Sequence, residues 1–280
     1  MRSTLADYAK EVLDRSMALA PRGHRERVLK YLLDRARGDN NMVAARNGEY
    51  RVLAEARPEL ERRGAVVFDV GANRGDWTVE LCAGRTAPLE VYAFEPSAET
   101  FRCLAGRLAS VRSGARLHPV HAALGSAPGR AVLNVYHSLA GTNSLVARES
   151  MAAAGASPEA EAVRLVDGDG FCAEHGVSEL GFVKVDTEGY ELEVIKGLRG
   201  MLSRSAVGVL QFEYGGTWID ARVLLRDAFE LLEPLGYAFA KIHPDGLQLL
   251  DGYRPELETF QYANFLVVRK DWLGIFSRVR

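Results

Sequence analysis

The sequence has few cysteines and almost no net charge. Only three of its 280 residues are cysteines, and none is in a Cys-x-x-Cys pair, so neither a disulfide framework nor a zinc site is expected. The formal net charge is −2, which gives no general case for a nucleic-acid partner. No apolar run reaches the length that crosses a membrane.

The beginning of the chain lacks the apolar stretch of a signal peptide. Asp7, Glu11 and Asp14 lie among its first residues. A secretory leader has an apolar segment at this position, and a transit peptide is poor in acidic residues. We therefore expect a cytoplasmic protein with no membrane partner.

The two common phosphate-binding loops are also missing. No Gly-Lys-Ser/Thr sequence of a Walker loop occurs. A dinucleotide fingerprint needs three glycines, and its three positions hold Gly71, Asn73 and Asp76 here. The Asn73 side chain hinders the close approach of a pyrophosphate, and the Asp76 carboxylate repels it. An NAD(P)-dependent oxidoreductase is therefore the weaker of the nucleotide-binding alternatives.

What the chain does have is a strand, a glycine turn and a helix in direct succession. The buried-strand pattern at 66–70 contains Asp69 and runs into a turn with Gly71 and Gly75, and Glu95 follows twenty residues beyond Gly75. An acid at that distance can accept hydrogen bonds from both ribose hydroxyls. A ligand with a ribose and no phosphate fits this pattern, particularly one with an ammonium group for Asp69. S-adenosylmethionine is such a ligand.

The chain divides into a helical beginning and an α/β remainder. Apolar residues at helical spacing predict helices through Leu5 and Met17, through Val28 and Ala36, and up to Gly64. From residue 66 onward, strand patterns alternate with helical ones, which is typical of a parallel sheet. We expect a helical segment at 1–63 that caps the site or contributes to a homodimer, and a catalytic domain at 64–280.

Three carboxylates follow strand patterns in the second half of the chain. Asp186 ends the strand pattern 181–186, Glu188 follows two residues later, and Glu213 ends the next strand. Carboxyl ends of neighbouring parallel strands share one edge of a sheet, so these acids are expected to converge there. One of them is a candidate general base, because removal of a hydroxyl proton accelerates a reaction about 10²–10⁴-fold.

Structural roles for the same acids stay open. Glu188 is placed to stabilise the following helix by its charge, and Glu213 to bind Trp218 or a backbone amide. The three acids are also a possible set of Mg²⁺ or Ca²⁺ ligands. The chain has no clear Asp-Asp-Asn set, and we expect no metal.

These segments resemble a known family. The runs FDVGANRG, AFEPS, HAALG, VKVDTEGYELEVIKG and QFEY, in this order, are similar to the FkbM-type branch of class I S-adenosylmethionine-dependent methyltransferases over residues 64–270. The resemblance implies a Rossmann-like α/β fold with a seven-strand, mostly parallel sheet and an antiparallel last strand. It implies methyl transfer to a hydroxyl of a sugar, polyketide or other small molecule.

The resemblance also assigns the cofactor residues. It implies that Asp69, Gly71, Asn73 and Gly75 surround the methionine part, that Glu95 binds the ribose, and that Ala123 and Leu124 lie near the adenine. We therefore expect an O-methyltransferase that uses S-adenosylmethionine. The alternatives are the oxidoreductase discussed above and a non-catalytic binding module that kept the fold.

Overall fold

The computed structural model describes Lys10, Val12, residues 21–137, Leu139 and residues 141–279. Contacts along the chain define two compact units, Met1–Asn40 and Asn41–Arg280. In the smaller unit, helix α1 (Arg22–Arg37) ends at Gly38, whose left-handed φ of 69° stops the helix. This helix contains the predicted repeat from Val28 to Ala36, whereas the helix predicted through Leu5 and Met17 lies outside the described residues.

The larger unit is an α/β structure. Its strands are β1 (Val66–Val70), β2 (Glu90–Phe94), β3 (Arg116–Val120), β4 (Ala123–Gly125), β5 (Gly129–Val135), β6 (Glu159–Asp167), β7 (Leu180–Val185), β8 (Val207–Tyr214), β9 (Ala238–His243), β10 (Gly246–Leu250) and β11 (Ala263–Val268). Its helices are α2 (Ala44–Asn47), α3 (Glu49–Arg63), α4 (Asp76–Cys82), α5 (Ala98–Ser110), α6 (Glu149–Ala153), α7 (Gly168–Glu174), α8 (Glu191–Gly197), α9 (Arg199–Ser203), α10 (Thr217–Ala221) and α11 (Leu225–Leu232).

The main sheet confirms the predicted fold class. Its strand order is β10-β9-β11-β8-β7-β1-β2-β3, and the five strands from β8 to β3 are parallel. The last strand, β11, lies between β8 and β9 and is antiparallel to both. The described part of the sheet has eight strands rather than the expected seven, because β10 folds back on β9 and buries Leu247 and Leu250 at the edge.

A second sheet of three strands, in the order β4-β6-β5, was not expected. Strand β3 ends at Val120 in the main sheet, and β4 begins only three residues later, at Ala123, in the other sheet. Strand β6 had no prediction at all. The main sheet and the small sheet therefore separate at residues 121–122, next to the pocket described below.

Apolar side chains alternate between the two faces of the main sheet. Val67, Phe182 and Val209 are buried on one face against α3, and Phe68, Val183 and Leu210 are buried on the other face. This alternation is what a parallel sheet covered on both faces requires. Among the described residues, no helix combines the length and apolar character needed to span a bilayer.

The packing of α3 moves the boundary of the larger unit toward the N-terminus. Val52, Leu53 and Leu60 of α3 are fully buried in the core beneath the sheet. The contacts therefore divide the chain after residue 40, whereas the sequence suggested a division after residue 63. Residues 41–63 are part of the α/β unit.

Candidate functional site

The turn after β1 brings three strand ends together. Gly71 has a φ of 78°, and a Cβ at this position would lie 1.8 Å from the carbonyl oxygen of Asp186. The Asp186 amide donates to the Val70 oxygen at 3.0 Å, and the Gly71 amide donates to the Phe94 oxygen at 3.1 Å. Glycine is therefore required here, because only glycine tolerates both this φ and this close approach.

Glu95, at the end of β2, is held by two backbone amides. Its Oε2 accepts from the amide of Asn73 at 3.0 Å, and its Oε1 accepts from the amide of Ser97 at 2.9 Å. Burial raises the pKa of this carboxyl to about 7, although both amides favour its ionised form. The carboxyl is oriented and still has lone pairs for two further donors, such as a pair of ribose hydroxyls.

A cavity of about 560 Å³ opens at this edge of the sheet. Five of the seven predicted cofactor residues line it, namely Gly71, Asn73, Glu95, Ala123 and Leu124. Asp186, Thr187 and Tyr190 form another part of the wall. Its mixed polar and apolar lining is that of a small-ligand site.

Asp69 and Gly75 do not line this cavity. The Asp69 carboxyl is fully buried, its Oδ2 accepts from the Thr78 hydroxyl at 2.6 Å, and burial raises its pKa. Gly75, with a φ of 81°, precedes α4, and a Cβ there would meet Leu104 at 2.8 Å. Asp69 therefore lies in β1, before the turn, and Gly75 lies at the end of the turn. Contact of either residue with a ligand stays a prediction.

Beyond Asp186, three carboxyl groups converge. Carboxylate oxygens of Asp186, Glu188 and Glu213 all lie within 4.8 Å of one another. Asp186 follows β7, and Glu213 is the penultimate residue of the neighbouring parallel strand β8, so both lie at the same edge of the sheet, as the sequence indicated. Glu188, however, is not extended: its φ of 57° is left-handed, a strained conformation that is common at functional sites.

The protonation of this carboxyl cluster (Asp186, Glu188 and Glu213) is set by burial and by mutual repulsion. Burial, and next the Asp186 charge, raises the pKa of Glu188 to about 8. Burial and the charges of Asp186 and Glu188 raise the pKa of Glu213 well above its ordinary value. The raised pKa values favour bound protons in the carboxyl cluster near neutral pH. A carboxyl of the cluster that is ionised can accept a proton, which is what a general base requires.

Lys184 is a site residue that the sequence analysis missed. Its Nζ donates to Asp186 Oδ2 at 2.8 Å, and its side chain is almost fully buried. Burial by itself lowers the pKa of Lys184, but the charges of Asp186 and Asp69 outweigh it and raise the pKa. A lysine within the apolar strand pattern 181–186 was the available signal, since an unpaired buried charge is costly.

The segment 141–148, called the strap below, closes over the cavity and reaches the carboxyl cluster. Asn143, Ser144 and Leu145 line the cavity, and the Ser144 hydroxyl donates to the backbone oxygen of Glu188 at 2.7 Å. At the end of the strap, Arg148 Nη1 donates to Glu188 Oε2 at 3.0 Å. Residues 141–158 have no clear helix or strand pattern in the sequence, and nothing there identified Arg148.

Hydrogen bonds near Glu188 and Glu213 bear on the alternative structural roles of these acids. The Trp218 indole donates to the backbone oxygen of Glu213 at 3.1 Å, not to its carboxylate. Near the start of α8, Glu191 rather than Glu188 accepts from the amides of Thr187 and Gly189, at 2.8 and 3.1 Å. The carboxylates of Glu188 and Glu213 are therefore not used by these two structural interactions.

A buried polar layer supports the cluster on the α3 side of the sheet. Glu49, the first residue of α3, accepts from Gln211 at 2.9 Å and from Asn264 at 3.1 Å. The charge of Glu49 favours a higher pKa for both Lys184 and Tyr262. The Tyr262 hydroxyl donates to Glu49 at 3.4 Å. No pattern in the sequence linked Glu49 to the site, because its contacts with Gln211, Tyr262 and Asn264 are made across the fold.

Comparison with known proteins shows the family of this chain. The sequence model described as "Methyltransferase FkbM domain" matches residues 69–239, more than half of the chain. The protein therefore belongs to the FkbM methyltransferase family. The match includes the cavity, the strap and the carboxyl cluster.

Among its relatives, the hexuronic acid methyltransferase AglP of Haloferax volcanii is 29% identical over 182 residues. The aligned part is 65% of this chain and 69% of that protein.

Two solved structures are also similar. Methyltransferase FkbM from Methylobacillus flagellatus KT has 15% identity and a TM-score of 0.40, and the match covers 72% of this chain but only 43% of that one. A TehB-like SAM-dependent methyltransferase from Corynebacterium glutamicum has 12% identity and a TM-score of 0.38, with 89% and 100% covered.

Proposed function

We propose that this methyltransferase uses S-adenosylmethionine and methylates a hydroxyl oxygen of a sugar or of a related small molecule. The observation that carries this proposal is the connection between two sites at Asp186. This residue lines the cavity that contains Glu95, and its carboxylate belongs to the carboxyl cluster. The cavity, with its candidate ribose-binding acid, and the set of candidate bases therefore share one residue, Asp186.

The cofactor would bind between the turn after β1 and the small sheet. Glu95 would accept hydrogen bonds from the ribose, since its two amide contacts leave lone pairs free. Ala123 and Leu124 offer an apolar wall to the adenine, and Asn73 and Gly71 approach the methionine part. The sulfonium methyl would then point toward Asp186 and the cluster.

Methyl transfer is an in-line displacement. The acceptor oxygen forms a bond to the methyl carbon as the sulfur–carbon bond breaks, and S-adenosylhomocysteine leaves with the electron pair. The hydroxyl proton passes to an ionised carboxylate of Glu188 or Glu213. Holding the oxygen behind the methyl group is the main requirement, and the proton acceptor adds about 10²–10⁴-fold.

The acceptor class rests on the relative named above. A hexuronic acid methyltransferase with 29% identity over 182 residues supports a sugar as acceptor. The acids of the cluster favour a hydroxyl over an already ionised oxygen, because only the hydroxyl needs a base. The expected homodimer and the role of residues 1–63 stay predictions of the sequence.

The test is transfer of a labelled methyl group from S-adenosylmethionine to a panel of hexosides, hexuronides and small polyketide alcohols. We expect a product whose methyl group resists mild alkali, as an ether does. A methyl ester released by mild alkali, or a methylated amine, would contradict hydroxyl methylation. A parallel assay after EDTA treatment tests the alternative of a divalent cation, and we expect no loss of activity.

A further inference from the structure

Arg148 is a cation at the site with a single side-chain partner, Glu188, among the described residues. Within the described part of the chain, only one of the five N–H donors of Arg148 is hydrogen-bonded, from Nη1 to Glu188 Oε2. Its Nε is buried and has no partner there. Its side chain is 16% exposed and lies against Glu188 of the carboxyl cluster. A buried arginine donor without a partner is costly, and a ligand that pairs with the guanidinium removes part of this cost.

Hydrogen bonds fix the backbone of Arg148, which limits the positions that its side chain can reach. Its amide donates to the Tyr136 hydroxyl at 2.8 Å, and its carbonyl oxygen accepts from the amides of Met151 and Ala152, each at 3.1 Å. Ser144 holds the strap to the Glu188 backbone four residues earlier. A preorganised guanidinium loses less entropy when it binds a ligand.

The charges around Arg148 compensate it only in part. Lys184 and Asp186 form a close ion pair of their own at 2.8 Å. The partner of Arg148 is Glu188, whose pKa of about 8 means that this carboxyl is mostly protonated near neutral pH. The same burial and repulsion raise the pKa of Glu213 well above its ordinary value. The site therefore has room for one anion beside Arg148, despite its three acidic residues.

We propose that Arg148 binds a carboxylate on the methyl acceptor and thereby selects a hexuronic acid over the neutral hexose. The planar guanidinium matches a carboxylate in a two-bond arrangement that a neutral hydroxymethyl group cannot reproduce. This inference rests on the proposed function, since it places the acceptor at the cluster beyond Asp186. It adds the chemical class of the acceptor and the residue that reads it.

The experiment uses the full chain saturated with S-adenosylhomocysteine and two probes that differ only at C6, methyl β-D-glucuronide and methyl β-D-glucoside. Calorimetry should show at least tenfold tighter binding of the glucuronide. In Arg148→Gln this preference should fall by about 10- to 100-fold through loss of charge-assisted hydrogen bonds, with glucoside binding unchanged. Arg148→Lys, which keeps the charge without the planar fork, should restore part of the preference.

Glu188→Gln separates ligand recognition from a purely structural ion pair. This variant removes the negative charge of the partner of Arg148 but leaves the guanidinium in place, so the glucuronide preference should persist or increase. Equal loss of preference in Glu188→Gln, equal weakening of both sugars in Arg148→Gln, or a wild type without preference would each overturn the inference. Absence of S-adenosylhomocysteine binding would instead refute the proposed function itself.

Discussion

Removal of the Glu95 carboxylate should weaken cofactor binding strongly. The side chain is 7% exposed and faces the cavity, with both oxygens oriented by backbone amides. A charge-assisted hydrogen bond contributes about 1.5–3 kcal/mol, so loss of one ribose contact costs at least about tenfold in affinity. Loss of two contacts at the lower value, about 3 kcal/mol, corresponds to about 150-fold.

The assay is calorimetric titration of Glu95→Ala with S-adenosylhomocysteine at pH 8, where the wild-type carboxyl is mostly ionised. We expect an affinity about 10- to 150-fold below that of the wild type. Glu188→Gln is the matched control and should bind normally, because Glu188 does not line the cavity. Normal affinity in Glu95→Ala would refute the assignment of Glu95 to the ribose.

The pH dependence gives a second readout of the same group. Burial raises the pKa of Glu95 to about 7, and the ionised form is the better acceptor for ribose hydroxyls. Wild-type affinity for S-adenosylhomocysteine should therefore fall as the pH is lowered through about 7. Glu95→Gln, which does not titrate, should show a flat profile over the same range, and a parallel decline in this variant would contradict the explanation.

Three further changes test the rest of the site and fold. Turnover should rise with pH through about 8, because burial and Asp186 raise the pKa of Glu188 and only the ionised carboxyl accepts a proton. A flat pH profile would exclude Glu188 as the base. Gly71→Ala should lower the free energy of unfolding, measured by urea titration, by about 3 kcal/mol or more. Gly84 is also left-handed but has open space around it, so Gly84→Ala should lower the free energy of unfolding by less. A chain that begins at residue 64 should be insoluble, because three buried Val and Leu side chains of α3 contribute about 5–9 kcal/mol, whereas one that begins at residue 41 should fold.

The cofactor side of the site could be predicted because its signals are local. The buried run 66–70 and the glycine turn after it form a strand and a tight turn, as their composition requires. Glu95 ends the adjacent strand at the expected distance. Such features depend on neighbours within a few residues, and a single sequence contains that information.

The acceptor side depends on contacts across the fold. Arg148 meets Glu188 over a separation of 40 residues, and Glu49 meets Gln211 over 162. Strand β6 was missed because its beginning, Glu-Ala-Glu-Ala, consists of poor strand formers that become a strand only by pairing with β5 and β4. Tertiary pairing, rather than intrinsic propensity, determines these parts.

Cofactor identity is the central claim, and one titration tests it most directly. At about 100 times its Kd, S-adenosylhomocysteine should stabilise the full chain by about 2.7 kcal/mol, which raises the melting temperature by about 5–10 °C. NAD⁺ at the same concentration should leave the melting temperature unchanged, because Asn73 and Asp76 oppose a pyrophosphate. A clear shift with NAD⁺ and none with S-adenosylhomocysteine would contradict the account.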